Sequence, residues 1–222
     1  SGSISAVNFS GESVLSAAAT RYTLAAVPAG LAFLSAGGTD VSVQWQANSN
    51  PGGTQYRLDY WTTGSTSSVT ASVTSATISG LSGGTSYFFQ VRAKNGDGIF
   101  SAPTGVLTVL TAPSAPSALT GTALGVSSMS WSWNAAATAT GYNFYPSTGG
   151  SAIVQTGTTL TQTSLSTNTA YGAQVSGSNA SGEGPKSSLV TKYTLAAAPT
   201  GFVVLTKRRE TQPDVPAAPV AT

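Results

Sequence analysis

The chain has 222 residues, of which 7% are charged, against the roughly 25% usual for soluble domains, so solubility must come from Ser, Thr, Asn, Gln and Gly. The net charge is +2. Three of the nine basic residues sit together in "KRRE" (Lys207 to Glu210) and the rest are scattered, which gives no electrostatic footprint for nucleic acid. With no Cys and no His, the sequence excludes disulfides, zinc-thiolate and imidazole metal sites, cysteine nucleophiles and a Ser-His-Asp triad.

Read in chain order, the pattern is period two. "VSVQW" (Val41 to Trp45), "TQYRLDY" (Thr54 to Tyr60), "VTSATISGL" (Val73 to Leu81) and "SYFFQVRAKN" (Ser86 to Asn95) alternate apolar and polar residues. "NSNPGGT", "TTGSTSS", "SGG" and "NGDG" separate them as turn clusters. Short alternating strands between Gly/Pro/Asn turns predict an antiparallel sandwich. "SAAAT" and "NAAATATG" are Ala-rich, but too short to hold a helix on their own. No apolar run approaches the ~18 residues of a membrane-spanning helix, so no membrane insertion is expected.

The same pattern recurs. "LSGGTSYFFQVRAKNGDG" (Leu81 to Gly98) aligns with "LSTNTAYGAQVSGSNASG" (Leu165 to Gly182), and upstream Trp45 matches Trp133 and Tyr56 matches Tyr142. A longer offset aligns Asn8 with Asn179, and "YTLAAVPAG" (Tyr22 to Gly30) with "YTLAAAPTG" (Tyr193 to Gly201). One unit is therefore about 85 residues, and the two nine-residue stretches are equivalent junctions two units apart.

These residues carry a resemblance. A Pro-led first strand, Trp in the second, Tyr in the third, Leu-x5-Tyr into the sixth, then Val-x-Ala-x-Asn-x-x-Gly and a Thr-rich closing strand resemble the fibronectin type III domain. The resemblance implies an all-β chain: tandem immunoglobulin-like sandwiches of about seven antiparallel strands each. It implies that Trp45 and Trp133 pack between the sheets, and that Tyr87 and Tyr171 are tyrosine corners, hydroxyl bonded to nearby backbone. Tyr56, Leu81, Tyr142 and Leu165 complete the expected core, and Trp131 shares the inward face of Trp133. The second unit has Gly and Ala in "YGAQV" where the first has Phe in "YFFQV", so a looser core is expected there. Residues 26–112 and 113–196 are the expected modules. Residues 1–25 fit the last strands of a preceding, truncated module, and residues 197–222 fit the start of a following one or a Pro/Ala-rich linker. The start "SGSISAVNFS", without an initiator Met, reads as part of something longer.

Little in the sequence points to chemistry. The seven carboxylates are Glu12, Asp40, Asp59, Asp97, Glu183, Glu210 and Asp214, and those of one unit fall on different strands or loops. A glycosidase needs a facing pair across a cleft, so no enzyme, cofactor or metal is expected. "NGDG" (Asn95 to Gly98) reads as a tight hairpin. Some members of the resembled family carry Arg-Gly-Asp in this loop, but here Asn95 stands in the Arg position before Gly96 and Asp97. "NFS" (Asn8 to Ser10) and "NAS" (Asn179 to Ser181) match the N-glycosylation pattern. Tyr60 and Trp61 must face opposite sides of a strand, as must Phe144 and Tyr145, and Phe100 follows the hairpin. Trp61, Phe100, Tyr145 and Asp97 are therefore the candidate contacts for a carbohydrate or surface protein. The expected role is a non-catalytic spacer in an extracellular or cell-surface multidomain protein, with neighbouring domains of the same chain as partners. The alternatives are a polysaccharide- or protein-binding adhesion module, and a self-assembling subunit that donates terminal strands.

Overall fold

The computed structural model describes residues 1–201, and every regular element in them is a strand. The tail expected after Gly201 lies outside the described residues. A short hairpin comes first, β1 (Val7–Asn8) and β2 (Gly11–Glu12), extended by backbone hydrogen bonds as far as the Gly2–Ala19 bridge. Ile4, Val7, Phe9, Val14 and Leu15 on it are exposed.

A first sandwich follows. β3 (Ala29–Ala36), β4 (Asp40–Gln46) and β7 (Ser75–Ser79) make a three-stranded sheet. β6 (Thr66–Ala71), β5 (Gln55–Trp61), β8 (Ser86–Lys94) and β9 (Leu107–Leu110) make the facing sheet of four, in that order. All pairings are antiparallel. Alternation puts Val41, Val43 and Trp45 of β4 inward, against Tyr87, Phe89, Val91 and Ala93 of β8. The turn cluster expected over "TTGSTSS" is shorter than expected. The chain reverses around Gly64 (φ +122), and from Thr66 onward the Ser/Thr run forms edge strand β6 against β5. Thr and Val suit a half-exposed pleated edge, and hydroxyl side chains on both faces hide the alternation that marks a strand.

The second sandwich repeats this plan. β10 (Ser117–Ala123), β11 (Met129–Asn134) and β14 (Thr159–Gln162) form one sheet. β12 (Gly141–Pro146), β13 (Ile153–Gln155), β15 (Ala170–Asn179), β16 (Gly182–Glu183) and β17 (Val190–Tyr193) form the other, centred on β12 and β15. Met129, Trp131 and Trp133 face Tyr171, Ala173 and Val175 across its core.

The second core carries its bulk on the other sheet. Its small Ala173 stands where the first sandwich has Phe89, but its Trp131 stands where the first has Val43, and Trp131 is fully buried. The indole packs 5.8 Å from the Phe144 ring, and its Nε1 donates to Gln162 Oε1 at 2.6 Å. Gly121 makes room for it, because a Cβ there would lie 2.7 Å from the indole. Core volume has moved from one sheet to the other.

Candidate functional site

Trp45 and Trp133 are buried and meet Tyr56 and Tyr142 edge-on at 5.6 and 5.7 Å. Burial raises the Tyr56 phenol above its ordinary pKa. Leu81 is buried and Leu165 half-buried against the second core. Tyr87 hydroxyl accepts the Ser82 N–H at 2.9 Å and Tyr171 hydroxyl accepts the Ser166 N–H at 2.8 Å, so each pins the loop five residues before it.

Trp61 and Phe100 lie on the same outer face of the first sandwich, separated by the Asp59 cluster, while Tyr145 lies on the second sandwich. Trp61 is half-buried and lies opposite Phe88 across the β5–β8 ladder, stacked at 5.9 Å. In the second sandwich Ser147 and Gly172 hold that place, bonded to each other through two 2.8 Å hydrogen bonds. Phe100 lies under the Arg57 guanidinium, 4.7 Å from its ring centre. Arg57 and Arg92 flank Asp59 at 2.9 and 3.4 Å, and Asp59 is buried between them.

Tyr145 belongs to a different network. Its hydroxyl and that of Ser176 both donate to the Glu183 carboxylate, and Lys186 Nζ lies 3.5 Å from its ring centre. Burial pushes the Glu183 carboxyl up, but hydrogen bonds from Ser176, Tyr145 and Asn143, with the nearby Lys186 charge, outweigh it and hold the group below its ordinary value. The hydrogen bond to Glu183, then burial, raises the Tyr145 phenol. In the Asp59 cluster Arg57 Nε and Arg92 Nε are buried beside the carboxylate without a hydrogen-bond partner, whereas the Glu183 carboxylate accepts from Tyr145 and Ser176. Among the described residues no three His, Cys, Asp or Glu side chains group closely enough to hold a metal, and no helix is long and apolar enough to cross a membrane.

Asp97 turns back on the chain itself. Its carboxylate accepts the Tyr22 N–H at 3.0 Å, while the Tyr22 ring lies where a Cβ on Gly96 would be, within 2.6 Å. A groove of about 660 Å³ opens beside it, lined by Tyr22, Ala25, Asn50, Pro51, Lys94 and Asn95 among others.

The two sandwiches meet closely at their junction. Pro113 is fully buried, and a side chain on Gly184 would collide with its carbonyl oxygen. A Cβ on Gly38 would come within 2.7 Å of Pro185, and one on Gly84 within 2.8 Å of the Ala137 oxygen. Asn179 Nδ2 donates across the junction to Thr111 O at 3.0 Å, and to Thr138 Oγ1 at 3.3 Å within its own sandwich. Both of its amide hydrogens are engaged, so glycan attachment there would require the junction to open. Asn8, the other candidate acceptor, is exposed.

Two facing sheets of three and four strands between Ala29 and Leu110 thus hold a central Trp and a tyrosine corner, and residues 26–108 match the model of the fibronectin type III domain. That module is a fibronectin type III domain. It is also similar to two bacterial enzymes. It is 36% identical over 195 residues to chitinase A1 of Niallia circulans, covering 82% of this chain and 26% of the relative. It is 30% identical over 217 residues to exoglucanase B of Cellulomonas fimi, covering 89% of this chain and 18% of the relative. The chain thus spans about a quarter or less of these relatives. Among solved structures it resembles a two-domain fibronectin type III segment of chicken tenascin (21% identity, TM-score 0.42, 75% of this chain and 99% of that one). It also resembles the FN1–FN3 domains of chicken CNTN1 (18% identity, TM-score 0.42, 87% and 77%).

Sequence reasoning passed over Asn95 and Asn179 as contact residues. The signal was present, because Asn-x-[Ser/Asp]-Gly recurs at Asn8, Asn95 and Asn179, but a turn and a glycosylation pattern account for the same letters.

Proposed function

We propose that this chain supplies non-catalytic spacer modules, residues 26–112 and 113–196, to a longer extracellular protein that acts on polysaccharide. Residues 1–25 are then the closing strands of a preceding module, and residues 197–222 the start of a following module or a linker. The interlocked junction carries this reading. A buried Pro113 wedged against Gly184 holds two sandwiches end to end, which separates whatever is attached at either side. The likeness to a chitinase and an exoglucanase, each over a minor part of its length, supports a polysaccharide-degrading setting outside the cell and neighbouring domains of the same chain as partners.

One observation favours a second reading, a carbohydrate- or protein-binding face on the first sandwich. The Trp61–Phe88 stack is half-exposed and has no counterpart at Ser147 and Gly172. Retention of the chain on insoluble chitin, cellulose and cell-wall material, with Trp61→Ala alongside, separates the two. A spacer passes through with or without Trp61. Retention of the parent and loss with Trp61→Ala would replace the spacer reading with the binding one.

A further inference from the structure

We propose that the Asn-x-[Ser/Asp]-Gly hairpin of each module is the docking site for the threonine at the close of the module before it, and that the asparagine carboxamide sets the angle between the two. This rests on the spacer reading and names the part that makes the spacer stiff.

The carboxamide works from both ends. Its oxygen is turned into the hairpin: Asn8 Oδ1 accepts the Ser10 N–H, Asn95 Oδ1 accepts those of Asp97 and Ile99, and Asn179 Oδ1 accepts that of Ser181. With the oxygen so fixed, the NH2 group points away from the turn. At Asn95 it donates to Thr23 O at 3.0 Å, and at Asn179 it donates to Thr111 O at 3.0 Å. These two acceptors are the same position of the repeat, one unit apart. The same distance at two separate junctions, from the same side chain to the same main-chain atom, marks a built contact.

The acceptor side is equally prepared. Thr111 Oγ1 accepts the Thr85 N–H at 2.9 Å and donates to Ser82 O at 2.8 Å, which ties the strand end to its own module's loop. Thr194 repeats this with Thr169 and Ser166. At Thr111 the carbonyl offered to Asn179 therefore belongs to a fixed residue. At the second junction Gly184 and Gly84 admit the neighbouring backbone closely beside this bond. Without such a clamp, adjoining domains joined by a modest interface move relative to one another.

Asn179→Asp separates the turn from the clamp, because the carboxylate keeps the acceptor for Ser181 and loses the donor to Thr111. The chain has no cysteine, so Ser68→Cys and Thr161→Cys, both exposed and one in each sandwich, take spin labels cleanly. Pulsed dipolar spectroscopy on the full labelled chain then reads the inter-sandwich distance distribution. The parent should give one narrow distribution, and Asn179→Asp should shift it or broaden it about twofold. Asn8→Asp should leave it unchanged. Gly184→Ala, which pries at the same junction from a loop outside both cores, should broaden it as well and covers the case in which Asn179→Asp fails to fold. A narrow parent distribution that neither variant changes would overturn the clamp while leaving the spacer reading intact. A broad parent distribution would overturn the clamp outright. Failure of the spacer reading itself appears separately, as retention on polysaccharide.

Discussion

The two sandwiches solve one packing problem in opposite ways. The first puts a small Val43 on one sheet and a large Phe89 on the other, and the second puts a large Trp131 on the first sheet and a small Ala173 on the other. Trp45 and Trp133, the edge-on tyrosines and the tyrosine corners are held in common. The difference shows that this fold constrains the summed volume between facing positions more than the identity of each. The outer faces teach the same lesson with charge. Where the first sandwich buries Asp59 between two arginines, the second uses Tyr145, Ser176 and Glu183.

The strongest way to break this comparison is to give the second sandwich the first one's residue on one sheet only. Trp131→Val should destabilise it by about 3 kcal/mol or more, because Ala173 cannot fill the space. Adding Ala173→Phe should recover much of that loss, a non-additivity readable in urea melts followed by tryptophan fluorescence. Simple addition of the two costs would show that the volume exchange has no energetic meaning.

The outer clusters should differ next. Asp59→Ala leaves two partly buried guanidiniums without their shared carboxylate and should cost the first sandwich about 1–3 kcal/mol. Tyr145→Phe keeps the ring against Lys186 and loses one hydrogen bond, so its cost should be about 1 kcal/mol or less. Thermal melts of the two single variants check the order.

Tyr87→Phe and Tyr171→Phe should sharpen the likeness, each costing about 1 kcal/mol through an unpaired loop N–H, at Ser82 and Ser166 respectively. Unequal costs would mean that the two corners are alike in shape alone.

The smallest contrast is in acid. Glu183 is held below its ordinary value in the folded chain, so its contribution is complete above the unfolded value and is lost as pH falls through the folded one. The second sandwich should therefore weaken slightly over the acidic end of the glutamate range, and Glu183→Gln should flatten that slope in pH-dependent melts.

Much of this was legible from the letters. Alternation in "SYFFQVRAKN" and the Leu-x5-Tyr spacing were enough to set β8, its inward face and the tyrosine corner, because period-two burial leaves a direct trace in the sequence. Strand β6 was hidden because its hydroxyl residues do not alternate in polarity. The volume exchange in the second core was hidden because compensation between Trp131 and Ala173 acts across two sheets, and no local window contains both. The same holds for the outer candidates. Trp61, Phe100 and Tyr145 were picked as outward-pointing, but their actual neighbours, Phe88, Arg57 and Glu183, come from register and loop path. Asn179 was visible as a repeated letter, while its partner Thr111 lies 68 residues away in sequence.

The measurement that tests the spacer most directly is small-angle X-ray scattering of the whole chain in solution. A fixed end-to-end junction predicts an elongated particle whose curve is fitted by one arrangement of the two sandwiches. A curve that fits only a freely jointed pair, or a single compact globule, would contradict it.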